Sequence, residues 1–232
     1  MFGNQTFVSE QTLTQTVSSV MKRVYVRMTL ALLVTAVTSL WAASSEMFFS
    51  FISQNSWSMW VLLIAEVGLV IAISGAINRL SSTAATALFF LFAVINGLAL
   101  SPIYFAYTMG SIAKTFFITA GTFGAMSIYG YFTSNDLSKL GSILYMALFG
   151  LIICSVVNIF TKSDTMGWII SFVGVLIFIG LTAWDTQKIK QMAAMSPNAS
   201  DGRLATIGAL SLYLDFVNLF LYLLRFFGGS RD

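Results

Sequence analysis

The sequence predicts an all-α membrane protein, a seven-transmembrane-helix bundle, and three observations carry that expectation. The 232 residues are 57% hydrophobic and only 9% charged, with a mean hydropathy of +0.85, well outside the composition of soluble domains. Seven apolar windows approach the roughly 20 residues that a helix needs to cross hydrocarbon. The windows are separated by short polar breaks such as TSNDLSK and the longer DTQKIKQMAAMSPNASDGR.

Taken in order, residues 1–27 read as a polar, cytoplasmic N-terminal tail, of which Met1–Ser19, rich in Thr, Ser and Gln, is expected to be solvated and mostly disordered. Residues 28–232 form the transmembrane domain. Its spans are expected at Met28–Ala43, Trp57–Ile77, Ala84–Tyr107, Ile112–Phe132, Leu140–Phe160, Gly167–Trp184 and Leu204–Phe227. The basic flank Lys22, Arg23 and Arg27 followed by an apolar stretch and Ala42, Ala43 and Ser44 imitates a cleaved signal peptide. The leader is long for a signal, and the first window is expected to stay as a span. With the N-terminus in the cytoplasm, Lys22, Arg23, Arg27, Arg79, Lys139, Lys188, Lys190 and Arg203 fall inside. Lys114, Lys162, Arg225 and Arg231 fall outside, a two-to-one bias that favours this orientation.

The chain has no histidine, which removes Ser/His triads, imidazole proton relays and H-E-x-x-H zinc sites. Its one cysteine, Cys154, has no partner for an intrachain disulfide and reads as a small core residue. The net charge of +3 encodes orientation rather than nucleic-acid binding. Gly75, Gly121, Gly124, Gly150 and Gly174, with Ser74, read as close helix contacts, not phosphate loops.

Three acids then stand out, because a charged Asp at the centre of a membrane helix costs about 3 kcal/mol and implies pairing or function. Asp215 lies midway along the last span, in LYLDFVNLF. Gly208, Ser211, Asp215, Asn218, Tyr222 and Arg225 recur at helical steps and mark one polar face, lining either a cavity or an interhelical seam. Asp185 closes the sixth span in TAWDTQKIK, with Lys188 one turn on. If the sixth and seventh helices are antiparallel neighbours, the two carboxyl groups meet and titrate as a pair, a proton-sensitive latch. Glu66 has no polar neighbour one turn away and needs a partner from another helix. Asn96, Ser101 and Pro102 in INGLALSPIYF offer that partner and a kink.

The stretches GALSLYLDFVNLFLYLLRFFG and GLTAWDTQKIK, with NGLALSPI and GAMSIYGYFTSNDLS, strongly resemble the bacterial branch of the Bax inhibitor family. The resemblance covers nearly the whole chain. It implies a seven-helix bundle around a central C-terminal helix, and it implies that Asp185 and Asp215 act as the pH sensor of a calcium leak channel. It also implies gating roles for Glu66 and, less directly, for Arg79.

The function expected from residues and resemblance together is a pH-sensitive calcium or cation leak of the bacterial inner membrane. It is gated by Asp185 and Asp215, which also offer calcium a transient site. Glu66, Arg79, Asn96, Ser211, Asn218 and Tyr222 are expected to be associated with the pore or its gate. No cofactor, enzyme activity or nucleic-acid partner is expected, and no EF-hand loop is present; lipid and cations are the expected partners. An intramembrane aspartyl protease would carry GxGD where this chain has LYLD. A non-transporting interaction protein, acting in membrane-protein quality control or the stress response, and a proton-coupled exchanger are the alternatives.

Overall fold

The structure, a computed structural model, describes residues 3–55, 57–195 and 202–229, with the side chains of 3–11 left aside. Arg231 therefore lies outside the described residues. The described residues form α1 (Gly3–Ser44), α2 (Glu46–Gln54), α3 (Ser58–Ala76), α4 (Ser82–Leu100), α5 (Ile103–Ala106), α6 (Met109–Phe132), α7 (Ser138–Thr161), α8 (Asp164–Met195) and α9 (Arg203–Phe227). Local chemistry sets many of the boundaries. Ser81 and Thr108 cap α4 and α6, their side chains accepting from Ala84 N–H at 3.1 Å and Ser111 N–H at 3.2 Å. Pro102 cannot donate to the helix ladder, so α4 stops at Leu100 and α5 resumes at Ile103, the kink expected from the sequence.

The protein is an all-α membrane protein. Among the described residues, six helical segments are long and apolar enough to cross a bilayer by length and composition: Thr12–Ser44, Ser58–Ala76, Ser82–Ala106, Ser138–Thr161, Asp164–Met195 and Arg203–Phe227. Of the seven expected spans, the fourth, α6, is the least apolar. It has the length, 24 residues, but carries Lys114 and the hydroxyl residues Ser111, Thr115, Thr119, Thr122 and Ser127. The most apolar windows of α3 and α7 are only 6% buried, a surface that hydrocarbon tolerates and water does not. At the other extreme, 67% of that window of the C-terminal helix α9 is buried.

Two compact units divide the chain, Met1–Ala106 with Ile189–Leu210, and Tyr107–Lys188 with Ser211–Asp232. Helices α8 and α9 each contribute one part to each unit. In the first unit α1 packs against α4 and α3 against α4. Val17, Val20, Met21, Val24, Met28, Ala31 and Thr35 bury one face of α1 at steps of three and four. That stripe overturns the expectation of an unstructured leader, because its apolar residues begin at Val17 although polar residues on the other face hide them from a running hydropathy. Thr35 Oγ1 donates to Ala93 O at 2.9 Å. Arg27 donates to Gly202 O and, at 2.5 Å, to Thr206 Oγ1, tying α1 to the start of α9. Gly202 has φ +75°, a left-handed conformation that side chains resist.

In the second unit α6 meets α8 closely at Gly130, where a Cβ would overlap the Ala183 carbonyl oxygen. Gly141 of α7 lies flat against the Trp184 indole, which Tyr145 meets edge-on at 5.2 Å. At Gly174 a Cβ would come within 2.7 Å of the Tyr222 ring, as expected of a contact glycine. The same expectation fails at Gly75, Gly121, Gly124 and Gly150, where a Cβ would meet nothing. Ser74 is likewise exposed. Cys154 is exposed rather than a core residue. The reason is shared, since in an all-apolar helix residue size alone does not reveal which face meets protein and which meets lipid.

Replacing Gly130 by Ala is expected to lower stability by about 1–3 kcal/mol through overpacking against backbone, whereas Gly150→Ala, facing open space, is expected to be neutral or mildly stabilising. Thermal unfolding of the detergent-solubilised variants checks both.

Candidate functional site: a carboxyl pair within the helices

Asp185 sits on α8 with ten helical residues still to follow, because α8 continues to Met195. The sequence had it closing the span; the structure places it inside the helix, 4% exposed. Asp215 stands midway along α9, also 4% exposed. The two side chains are joined by a hydrogen bond, the meeting expected of antiparallel neighbours. A hydrogen bond between two carboxyl groups requires a proton on one of them. Asp215 Oδ2 is buried and has no hydrogen-bond partner.

The surroundings of Asp185 combine Lys188, which the sequence already set one turn away, with Gln187, which the sequence reading did not single out. Lys188 lies over the Trp184 ring, 4.5 Å from its centroid, so part of its charge is held by an aromatic face. Gln187, 7% exposed, accepts from Leu137 N–H at 2.9 Å and donates to Asn135 O at 2.8 Å. One side chain two residues beyond Asp185 thus replaces a pair of backbone hydrogen bonds and straps the α6–α7 loop to α8. In that loop Asp136 accepts from Ser138 N–H at 2.9 Å. Hydrogen bonds from the Ser138 side chain and backbone hold its carboxyl below the ordinary value of 3.8. A Gln in a polar run after a Trp carries no signal of such a strap, since the loop it holds is about 50 residues away.

Glu66 finds its partner as expected: Asn96 Nδ2 donates to Glu66 Oε1 at 2.8 Å, joining α3 to α4. Arg79 is not brought to it. Arg79 is exposed in the turn after α3, about 20 Å further along the helix direction at 1.5 Å per residue. The polar face of α9 is less open than expected. Asn218 Nδ2 donates back to Leu214 O at 2.8 Å. Tyr222 is hydrogen-bonded to Ser155 and stacked on Phe178 at 5.8 Å. Ser211 is half-buried and Arg225 exposed. Among the described residues no three of the side chains Cys, Asp and Glu converge as a metal site.

Fold and site together define a class, an all-α membrane protein with a hydrogen-bonded carboxyl pair buried between two of its spans. The family described as inhibitor of apoptosis-promoting Bax1 matches residues 17–232. The chain belongs to this Bax inhibitor family. It is similar to an uncharacterized protein of Borreliella burgdorferi, 47% identical over 90% of this chain and 91% of the relative. The inner membrane protein YbhL of Escherichia coli K12 is 46% identical over 91% of this chain and 92% of its own. An uncharacterized protein of Deinococcus radiodurans is 37% identical over 98% of this chain and 97% of its own.

Two predictions follow from the packing of these polar groups. Asn96→Leu leaves the Glu66 carboxyl without its partner and is expected to cost about 1–3 kcal/mol, read by thermal unfolding, with Glu66→Gln in the same background recovering part of the loss. Gln187→Ala is expected to raise hydrogen exchange at Leu137 N–H while leaving α9 protected. Because the Asp136 pKa is depressed, its hold on Ser138 is present at neutral pH and is lost only as pH falls below 3.8, so the same amides should loosen at acid pH even with Gln187 intact.

Proposed function

We propose that the protein is a pH-responsive cation leak of the bacterial inner membrane, with the Asp185–Asp215 pair as its latch and calcium as a permeant ion. The observation that carries this reading is the hydrogen bond between two carboxyl groups that are each 4% exposed. While the pair holds a proton, it links α8 to α9. Loss of that proton leaves two negative charges side by side in a low dielectric, where repulsion is far stronger than in water. The separated carboxylates then favour an approaching cation, so deprotonation both loosens the latch and attracts the ion. Two carboxylates with water make a sparse calcium site suited to passage rather than storage.

The inner-membrane location draws on the name of the E. coli relative and on the apolar helices. A cytoplasmic N-terminus draws on the distribution of Lys and Arg. The reading assigns no enzymatic reaction and no cofactor; its partners are lipid and cations. Glu66 with Asn96 serves as a second interhelical tie that holds α3 on α4 while the latch moves.

Calcium flux into proteoliposomes across a pH series tests the reading. Flux is expected to rise with pH through one midpoint, and Asp215→Asn and Asp185→Asn are each expected to flatten that rise, since the titrating unit is the pair. Two independent midpoints would sink the latch. Flux equal to that of empty liposomes at every pH would point instead to a non-transporting interaction protein, whose buried carboxyl pair only holds helices together.

A further inference from the structure

Hydroxyl groups in apolar helices ordinarily satisfy themselves by donating to the carbonyl one turn back. Thr119, Ser155, Ser171 and Thr182 do so, at 2.8, 2.8, 2.9 and 2.7 Å. Thr115 and Ser127 on α6 and Thr186 on α8 do not, although they are 0, 5 and 0% exposed. Their oxygens, with Asp215 Oδ2, are the four buried side-chain polar atoms without a partner among the described residues. All four fall in the second unit. An unmet buried polar atom costs about 1–3 kcal/mol, and here the remedy used by neighbours on the same helices is passed over each time.

Their placement is ordered. Thr115, Thr119, Phe123 and Ser127 follow one another at steps of four along the buried face of α6. Phe123 of that face, with Phe116 beside Thr115, meets the ring of Phe216, the residue after Asp215 on α9, at 5.4 and 5.6 Å respectively. Thr115 lies at one end of this aromatic contact and Ser127 at the other. Beyond Ser127 the same helix abuts Ala183 at Gly130, one turn before Thr186 on α8. Open polar atoms therefore stand on both sides of one ring, and the ring is carried by the residue next to Asp215.

We propose that Thr115, Ser127, Thr186 and Asp215 Oδ2 line a buried polar lane for water and hydrated cations, and that Phe216 is the plug that closes it. An aromatic constriction between polar stretches blocks by dewetting. Motion of α9 on release of the Asp185–Asp215 latch carries the plug with it. The lane deepens the leak reading and rests on it for the species that moves, but water access to it is testable without any flux.

The first arm is brief radiolytic hydroxyl-radical labelling of the full-length protein in a Cys154→Ser background, comparing Ser127→Cys with Thr182→Cys. The Thr182 hydroxyl is already satisfied by its own helix. Oxidation at position 127 several-fold faster than at 182 is expected of a hydrated lane, and equal protection at the two positions overturns it. The second arm is Thr186→Val and Phe216→Leu in the proteoliposome assay. Thr186→Val is expected to melt no lower than the parent, since it removes an unmet polar atom, yet to carry about tenfold less flux, the equivalent of one lost hydrogen bond to the moving species. Phe216→Leu is expected to raise flux at low pH, where the latch is closed. Unchanged flux in both variants overturns the lane as a conduction path. A parent without flux but with rapid labelling at 127 overturns the leak reading and leaves the hydrated lane standing.

Discussion

Two carboxyl groups held out of water between adjacent helices constrain the rest of this structure. Neither aspartate is accommodated alone in a segment as apolar as α9, because an isolated buried charge costs several kcal/mol. Together they form a hydrogen-bonded unit whose geometry fixes how α8 and α9 meet, and the neighbouring contacts follow from that. Phe178 stacks on Tyr222 and Trp168 meets Phe226 edge-on further along the same pair of helices. Gly130 and Gly141 let α6 and α7 approach α8 on either side of Asp185, and Gln187 fastens the loop between them. Removing the pair would leave this register without a polar link that singles it out from many similar apolar packings.

The same logic of satisfied polar groups separates structure from function elsewhere. In hydrocarbon the association of helices gains little from apolar burial, so side-chain hydrogen bonds and close backbone approach decide which faces meet. Asn96 to Glu66 joins α3 and α4, Thr35 to Ala93 joins α1 and α4, and Arg27 fixes the start of α9. Each of these is complete and reads as a tie. The open hydroxyls of α6 and α8 are not complete. Incompleteness inside a well-packed helical protein marks the part of the interior that serves something other than packing.

Much of the site was legible because the residue type itself was anomalous. An aspartate inside LYLDFVNLF and another inside TAWDTQKIK announce themselves against apolar neighbours, and an antiparallel packing of consecutive spans brings them together although the polar connection between them is long. Asn96 was legible as the partner of Glu66 for the same reason. The polar face of α9 was misjudged in its chemistry. Asn218 and Tyr222 recur at the right spacing, but periodicity does not say whether an amide turns outward or donates to its own helix. Gln187 and the α6 hydroxyls were passed over, because Gln, Ser and Thr are common in such segments, and their role depends on atoms far away in the chain.

The sequence by itself determined that the chain is helical, membrane-embedded and without histidine chemistry, because composition and hydropathy act through solvent preference, which is local and additive along the chain. It also marked the acids as residues that need either a partner or a function, since burying a charge in hydrocarbon is costly wherever it falls. Only the tertiary structure decided which helix faces meet protein and which meet lipid. It turned Cys154 and Gly150 outward, extended the buried stripe of α1 back to Val17, and left three hydroxyls and one carboxyl oxygen buried without a partner. Those outcomes depend on distances between residues remote in sequence, and in segments apolar on every side the pattern of residues does not encode a direction.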